Sequence, residues 1–473
     1  MNTGAAKLGE CFGRKPVTAC YQPKNLLLIS LDTLRFDCIS AEEDKRLLGP
    51  LAELVSTPNI DSLARNGVRL SQAISSAPFT TPSHAAIFTG LYWTKHRVIH
   101  QYKTPLSARA YTLAERLRDA GFATGQNAGK DKNIGVMFES EAVGLRRGFE
   151  FSAFSSSLER KTRRWIKKNK NRRWFLFFHT FNVHWPYGKR IKTIDRLVNE
   201  AWQTGDWTEV RRVYIENANR VDELIGELLD FLTEIGEIDD TLIVLLSDHG
   251  EGLNSLSPMH GPINGGREDI IRVPLIFSCP GRLPQGKVIH DQVRAVDILP
   301  TVIEMLGLSV NPSSMFEAVA GESLLPLLLG AEPQKEHPAY FCGHLNADDF
   351  DRPLMKGLRA NGWKLIINDC SAETIKKRER ELRENARKSM KADLRLEILR
   401  DLLRPEAAVQ LYNLKEDPSE SANLAASCGE VVNEMTGLIK LFLQSETHNI
   451  MPGSDLEGEE RLKEQLRDLG YIA

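Results

Sequence analysis

The sequence predicts an α/β protein: an α/β/α sandwich around a large, mostly parallel sheet, followed by a smaller C-terminal α+β domain with an antiparallel sheet. Three observations carry this. Short apolar runs of strand length recur at 25–31, 174–180, 242–247 and 273–277. Longer segments with apolar residues at helical spacing lie between them, at 108–120 and 210–235. After about residue 338 the texture changes to short β-like pieces, at 338–342, 363–368 and 409–412. Continuously apolar strands need cover on both faces, and the intervening amphipathic helices supply it.

Taken in order, residues 1–24 form an arm with little periodicity. Residues 25–335 form the main domain, and 336–473 a C-terminal subdomain. The segment 292–308 reads as a helix closed by Gly307, with Pro300 in its first turn, where a missing donor costs little. Two charged stretches interrupt the pattern. Residues 160–173 hold nine Lys or Arg, read first as the solvated face of a helix and alternatively as a rim attracting anionic substrates or lipid head groups. Residues 375–403 read as a charged helical insertion, a solvent-exposed helix or hairpin, with a lid or dimer contact as the sharper alternative.

Composition narrows the function classes. Formal net charge is -2, so no global field points to nucleic acid or to an anionic membrane. No apolar run reaches the length of a membrane span or of a signal-peptide core. The seven cysteines are scattered, with no C-x-x-C pair, which suits a reducing compartment better than a disulfide framework. A cytoplasmic protein is the expectation.

In a parallel sheet the ligand site lies beyond the carboxyl ends of the strands. Two of the apolar runs lead directly into Asp32 and into Asp248-His249, which places hard oxygen ligands and an imidazole on that edge. Each residue alone would more often be a turn or cap residue.

The segment Thr80-Thr-Pro-Ser-His-Ala-Ala-Ile-Phe-Thr-Gly90 resembles the signature of the sulfatase family, C-x-P-S-R followed by four variable residues and T-G. Pro82, Ser83, Thr89 and Gly90 match in register. The family's modified cysteine falls on Thr80 and its arginine on His84. Other stretches resemble further family blocks in the same order: Leu31 to Asp37, Gly121 to Gly125 with Gly129-Lys130, Gly144 to Glu150, Asn182 to Tyr187, Ser247 to Glu251, Arg272 to Ile276 and Leu411 to Pro418. The resemblance covers nearly the whole chain. It implies the alkaline-phosphatase-like fold, a metal-dependent ester hydrolase or transferase, and an anionic ester substrate on a small molecule, lipid or glycan.

It also implies the site. Asp32, Thr80, Asp248 and His249 would hold one divalent metal ion. Thr33 stands where the family has a second carboxylate, which favours manganese, zinc or magnesium, with calcium possible. Thr80 would be the nucleophile, since metal coordination lowers the pKa of a hydroxyl. His184 and His260 would handle the transferred group and the leaving oxygen, an imidazole being able to protonate a leaving alkoxide. Lys130 would bind an anionic oxygen, although Asp131 and Lys132 replace the aromatic-histidine pair that follows it in the family. His84 would orient Thr80, Asn182 would support the site from behind, and His96 would be structural.

The threonine decides the expected substrate class. Sulfatases convert cysteine or serine to an aldehyde whose hydrate attacks sulfate and then collapses. Threonine carries a methyl on its β-carbon and cannot become that aldehyde. A phosphorylated threonine can still be resolved by attack at phosphorus. Phosphodiester, phosphonate or phosphomonoester chemistry is therefore expected ahead of sulfate ester hydrolysis with an unmodified threonine. The third reading is a catalytically silent binding protein on the same fold.

Overall fold

The computed structural model describes residues 22–99, 105–129, 138, 143–255, 260, 265–309, 316–331, 336–343, 355–368 and 408–448. The main sheet contains β1 (Asn25–Leu31), β2 (Gly67–Ile74), β3 (Ala123–Ala128), β4 (Phe151–Ala153), β5 (Trp174–Thr180), β6 (Thr241–Leu246), β7 (Arg272–Ser278) and β8 (Lys287–Arg294). Their spatial order is β4-β3-β5-β1-β6-β7-β2-β8. Every pairing is parallel except the two made by β7. The reversal has a simple cause. The chain leaves β6 at the carboxyl edge and begins β7 at that same edge, Ser247 N bonding Pro274 O, so β7 must descend. The second sheet, β12-β11-β10-β9, is antiparallel throughout and consists of β9 (Ala339–Gly343), β10 (Met355–Ala360), β11 (Trp363–Asn368) and β12 (Val409–Asn413).

The pleat divides the main sheet between two cores. Leu26 and Leu28 of β1 enter one, whereas Leu27, Ile29 and Leu31 enter the other. Phe175 and Phe177 of β5 join the first, Trp174, Leu176 and Phe178 the second. All five of these β5 side chains are fully buried. Each contributes about 1.5–3 kcal/mol or more relative to exposure, which fixes β5 in the middle of the sheet. Helices Thr80–Thr89, Leu113–Asp119 and Ile298–Met305 cover the first face, and helices Pro58–Arg65 and Thr208–Glu234 the second.

Two elements differ from the sequence reading. The helix expected at 108–120 starts only at Leu113. Thr112 caps it: its hydroxyl accepts from Glu115 N at 3.1 Å while the Glu115 carboxylate accepts from Thr112 N at 3.0 Å. The helix expected at 292–308 loses its first turns, because Gln292–Arg294 finish β8 against β2 and Asp297 accepts from Arg294 N at 2.9 Å, so the helix runs Ile298–Met305. The basic segment forms helix Arg160–Asn169. Arg163 and Lys167 lie over the Phe231 ring and pair with Glu227 and Glu234, as the solvated-face reading expects. The arm at 1–21, Lys130 and the insertion 375–403 lie outside the described residues.

Candidate active site

The carboxyl ends of β1 and β6 deliver the two acids. Asp32 follows Leu31 directly, and its N–H continues the ladder to Thr180 O at 3.1 Å. Asp248 follows Ser247, whose hydroxyl ties the turn to Leu31 O at 2.7 Å. Thr33 holds the turn after β1 in a left-handed conformation with φ 63°. Its hydroxyl donates to Asp32 O at 2.6 Å and its N–H to Asp248 Oδ1 at 3.3 Å. The residue that replaces the family carboxylate thus points its oxygen at backbone.

Thr80 opens helix Thr80–Thr89, every residue of which is buried. Pro82 falls in the first turn, where the backbone N–H groups have no helical acceptor. The helix stops at Gly90, which adopts φ 65° and whose N–H returns to Ala86 O. The helix start aims the positive end of its dipole at the Thr80 hydroxyl.

Thr80 Oγ1 donates to Asp32 Oδ2 at 3.0 Å. The other oxygen, Asp32 Oδ1, has no partner, and neither do Asp248 Oδ2 and His249 Nε2, although all are buried. These atoms face one another: His249 Nε2 lies 3.5 Å from Asp248 Oδ2 and 4.0 Å from Asp32 Oδ1. His249 Nδ1 donates to Gly250 O at 2.9 Å, which leaves the Nε2 lone pair free for a ligand role. Buried polar atoms are ordinarily satisfied. Three orphaned acceptors converging within 4.8 Å fit a cation.

The electrostatics agree. Burial and the Asp32 charge push the Asp248 carboxyl up to about 6. Burial also works against ionised Asp32, but the hydrogen bond from His179 and the charges at His184, His249 and His179 outweigh it and hold that carboxyl well below the usual range. Two buried carboxylates that cannot both ionise comfortably are what a divalent ion resolves.

His84 meets Thr80 through backbone. Its Nδ1 donates to Thr80 O at 2.8 Å and its Nε2 accepts from Ser30 Oγ at 2.9 Å. Burial and the neighbouring His179 push its pKa down to about 3, so it is a neutral positioning group. His184 and His260 complete the wall, with ring centroids 4.9 Å apart and His260 4.6 Å from His249. His184 Nδ1 donates to Trp185 O at 2.8 Å and His260 Nδ1 to Glu251 Oε2 at 3.0 Å, so both keep Nε2 for other partners. Burial would raise the Glu251 carboxyl, yet His260 dominates and holds it at about 2.

Asn182 does not support the site. Its amide donates to Ser156 O at 3.1 Å and the residue is exposed. His96 is buried and accepts from Val98 N at 3.1 Å, a structural role. Sequence reasoning missed His179 and Glu251. His179 Nε2 donates to Asp32 Oδ2 at 3.2 Å. The signal was present: a lone histidine ends the apolar run Trp-Phe-Leu-Phe-Phe on the same sheet edge as Asp32.

Such a fold and such a site define an ester hydrolase of the alkaline phosphatase superfamily. The sulfatase family model matches residues 24–308, and the chain belongs to that family. It is 26% identical to human arylsulfatase D, over 70% of this chain and 73% of the relative. It is 24% identical to the multifunctional alkaline phosphatase superfamily protein PehA of Trinickia caryophylli, over 74% of this chain and 84% of the relative. Among solved structures, the phosphonate monoester hydrolase of Agrobacterium radiobacter superposes with a TM-score of 0.63 at 20% identity, covering 89% of this chain and 95% of that one. A protein solved with its substrate D-glucosamine-2-N,6-O-disulfate gives 0.63 at 18%, covering 92% and 100%. No helix among the described residues is long and apolar enough to cross a membrane.

Proposed function

We propose that this chain hydrolyses or transfers a phosphate ester (a phosphodiester, phosphonate or phosphomonoester) through a covalent intermediate on Thr80. The observation that carries the reading is the Thr80 hydroxyl, hydrogen-bonded to Asp32 at the rim of a buried cup of unpaired ligand atoms. The chain's nucleophile is a secondary alcohol, so the aldehyde route to sulfate release is closed to it, whereas attack at phosphorus is open.

Asp32, Asp248 and His249 would hold the metal, with Thr80 as the fourth ligand. Two carboxylates, one imidazole and one hydroxyl suit manganese, zinc or magnesium better than calcium. When bound, such an ion supplies the positive charge that acidifies a hydroxyl and stabilises anionic oxygen. Asp32 Oδ2 and the helix start hold the Thr80 oxygen in place for in-line attack. His84 fixes the Thr80 backbone through its carbonyl. His184 or His260, each anchored through Nδ1–H, presents Nε2 to the reaction; there it would take up the proton that leaves the Thr80 hydroxyl and pass it on to the leaving oxygen. Glu251 accepts the His260 Nδ1–H and holds that ring in place. The ester belongs to a small molecule, lipid or glycan. Cys38, Cys279, Cys342 and Cys428 are all unpaired, which supports a reducing compartment such as the cytoplasm.

The test compares chromogenic phosphodiester, phosphonate and aryl sulfate substrates, each with manganese, zinc or magnesium and after chelation. Turnover of a phosphorus ester should exceed that of the sulfate, and Thr80→Ala should lower kcat by about 10³-fold or more while metal binding survives. Faster sulfate release would favour a sulfuric ester hydrolase with an unmodified threonine. No metal uptake at all would favour a silent binding protein.

A further inference from the structure

A cavity of about 320 Å³ opens where the chain leaves the Asp248–Glu251 turn, and none of the metal or histidine residues described above lines it. Four arginines do: Arg35, Arg46, Arg211 and Arg267, facing Asp269 and Glu420. Three of these cations have a carboxylate in range. Asp37 takes Arg35 Nε and Nη2 at 2.8 and 2.7 Å, and Asp44 takes exposed Arg46 at 2.8 Å. Glu420, held by buried Lys364 through its other oxygen, lies 3.9 Å from Arg267 Nη2.

Arg211 is different. Its Nε donates to Leu253 O at 2.9 Å. Among the described residues no carboxylate lies within ion-pairing range of it. It is half-buried, and burial together with the Arg35 charge outweighs the attraction of Asp269, Asp37 and Asp206 and pushes its pKa down. Arg267 is 7% exposed, and its Nη groups donate to the carbonyls of Ser419 and Glu420. Its Nε–H is buried with no acceptor. Arg211, with no carboxylate at ion-pairing distance among the described residues, and Arg267, with one N–H lacking an acceptor, line the same cavity, and an anion between them would supply what both lack. Asp269 also lines the cavity, and its buried Oδ1 has no partner. Burial pushes its carboxyl up to about 6, so a proton can be shared between it and an anion's oxygen.

We propose that this cavity is a second oxyanion site, separate from the catalytic cup. It would bind a phosphate or sulfate group, free or at the end of a larger ligand, between Arg211 and Arg267. It spans the main-sheet unit, through Arg35, Arg211 and Arg267, and the turn after β12, through Ser419 and Glu420. Filling it therefore ties the second sheet to the catalytic unit. The inference is independent of the phosphate-ester reading.

Calorimetric titration of the full, chelator-treated chain with inorganic phosphate tests it. Saturable binding should persist in Asp248→Asn and weaken roughly tenfold or more in Arg211→Ala, with a smaller loss in Arg46→Ala at the rim. Absence of saturable binding, or binding lost in Asp248→Asn but kept in Arg211→Ala, overturns the proposal. Should circular dichroism show Arg211→Ala unfolded, Arg46→Glu replaces it as the deciding variant. Reversing that exposed charge should weaken binding, and unchanged affinity rejects the site. Phenyl phosphate, titrated into Thr80→Ala, distinguishes the sources. Affinity equal to that of inorganic phosphate assigns the site to the end of a larger ligand, and a tenfold weaker one to the free ion.

Discussion

At the residue scale, the behaviour of the site rests on how Asp32 divides its two oxygens. Oδ2 is spent on Thr80 and His179, at 3.0 and 3.2 Å, and Oδ1 is left unpaired. His179 is thus the residue that orients the carboxylate and keeps it ionised inside a fully buried pocket. Replacing it with leucine fills similar space and removes the donor. His179→Leu is expected to weaken manganese or zinc binding roughly 10- to 100-fold with the fold intact, as read by calorimetry beside circular dichroism. Unchanged affinity would mean that the contact does not orient Asp32. Asp32 and Asp248 were legible in the sequence because each directly follows an apolar run, where a strand must end. His179 also ends an apolar run, but it was passed over, because a strand buried on both faces shows no alternation that would reveal which of its side chains point at the site. Glu251 was hidden for another reason: its partners, His260 and Tyr187, come from distant segments, and no spacing rule joins them.

At the scale of elements, the strands that went unread carry buried polar residues. β2 holds Arg69, which pairs with Glu42, and Ser71, which bonds Ile289 O at 3.3 Å. β3 holds Gln126 and Asn127, satisfied by Phe138 O at 3.0 Å and Ser155 O at 3.1 Å. β10 holds Arg359, which pairs with Glu268 at 3.1 Å. Hydrophobic pattern finds strands whose side chains are apolar, and partners that satisfy a buried polar group lie far away in sequence. In β1, β5, β6 and β7 the buried polar residues (Asn25 and Ser30, His179 and Thr180, Thr241, Arg272 and Ser278) stand at or next to the strand ends and leave an unbroken apolar run between them, so these strands were legible almost to the residue. The turn after β6 shows how closely an element constrains the site. A Cβ built on Gly250 would lie 2.2 Å from the Asp269 carbonyl oxygen, while the Gly250 N–H bonds Ile270 O at 2.6 Å and its own carbonyl anchors His249. Gly250→Ala must therefore separate residues 249–251 from 269–270 and tilt the imidazole. The expected result is a loss of about 1–3 kcal/mol in urea unfolding together with weaker metal binding. Wild-type values for both would show that the segment can yield without moving His249.

At the scale of the whole molecule, the buried acidic pair makes stability depend jointly on pH and metal. The Asp248 carboxyl is raised from 3.8 to about 6 in the folded, metal-free chain. A carboxyl whose folded pKa exceeds its unfolded value favours the folded state while protonated. That contribution is fully present below about pH 4 and is lost as pH rises through about 6, on the order of 3 kcal/mol for a shift of this size. A divalent ion can take the place of the proton, so metal should restore what the rise in pH removes. Thermal unfolding of the chelated chain should therefore show a pH-dependent loss of Tm between pH 5 and 7.5 that is smaller in Asp248→Asn. The metal-induced rise in Tm should be larger at pH 7.5 than at pH 5, both because the cup then needs its cation and because proton competition has gone. Comparison with Asp248→Asn removes the contribution of Asp269, which titrates in the same window. A metal-induced shift of equal size at both pH values, or the same pH slope in Asp248→Asn, would refute the idea that the cup exchanges a proton for a metal ion.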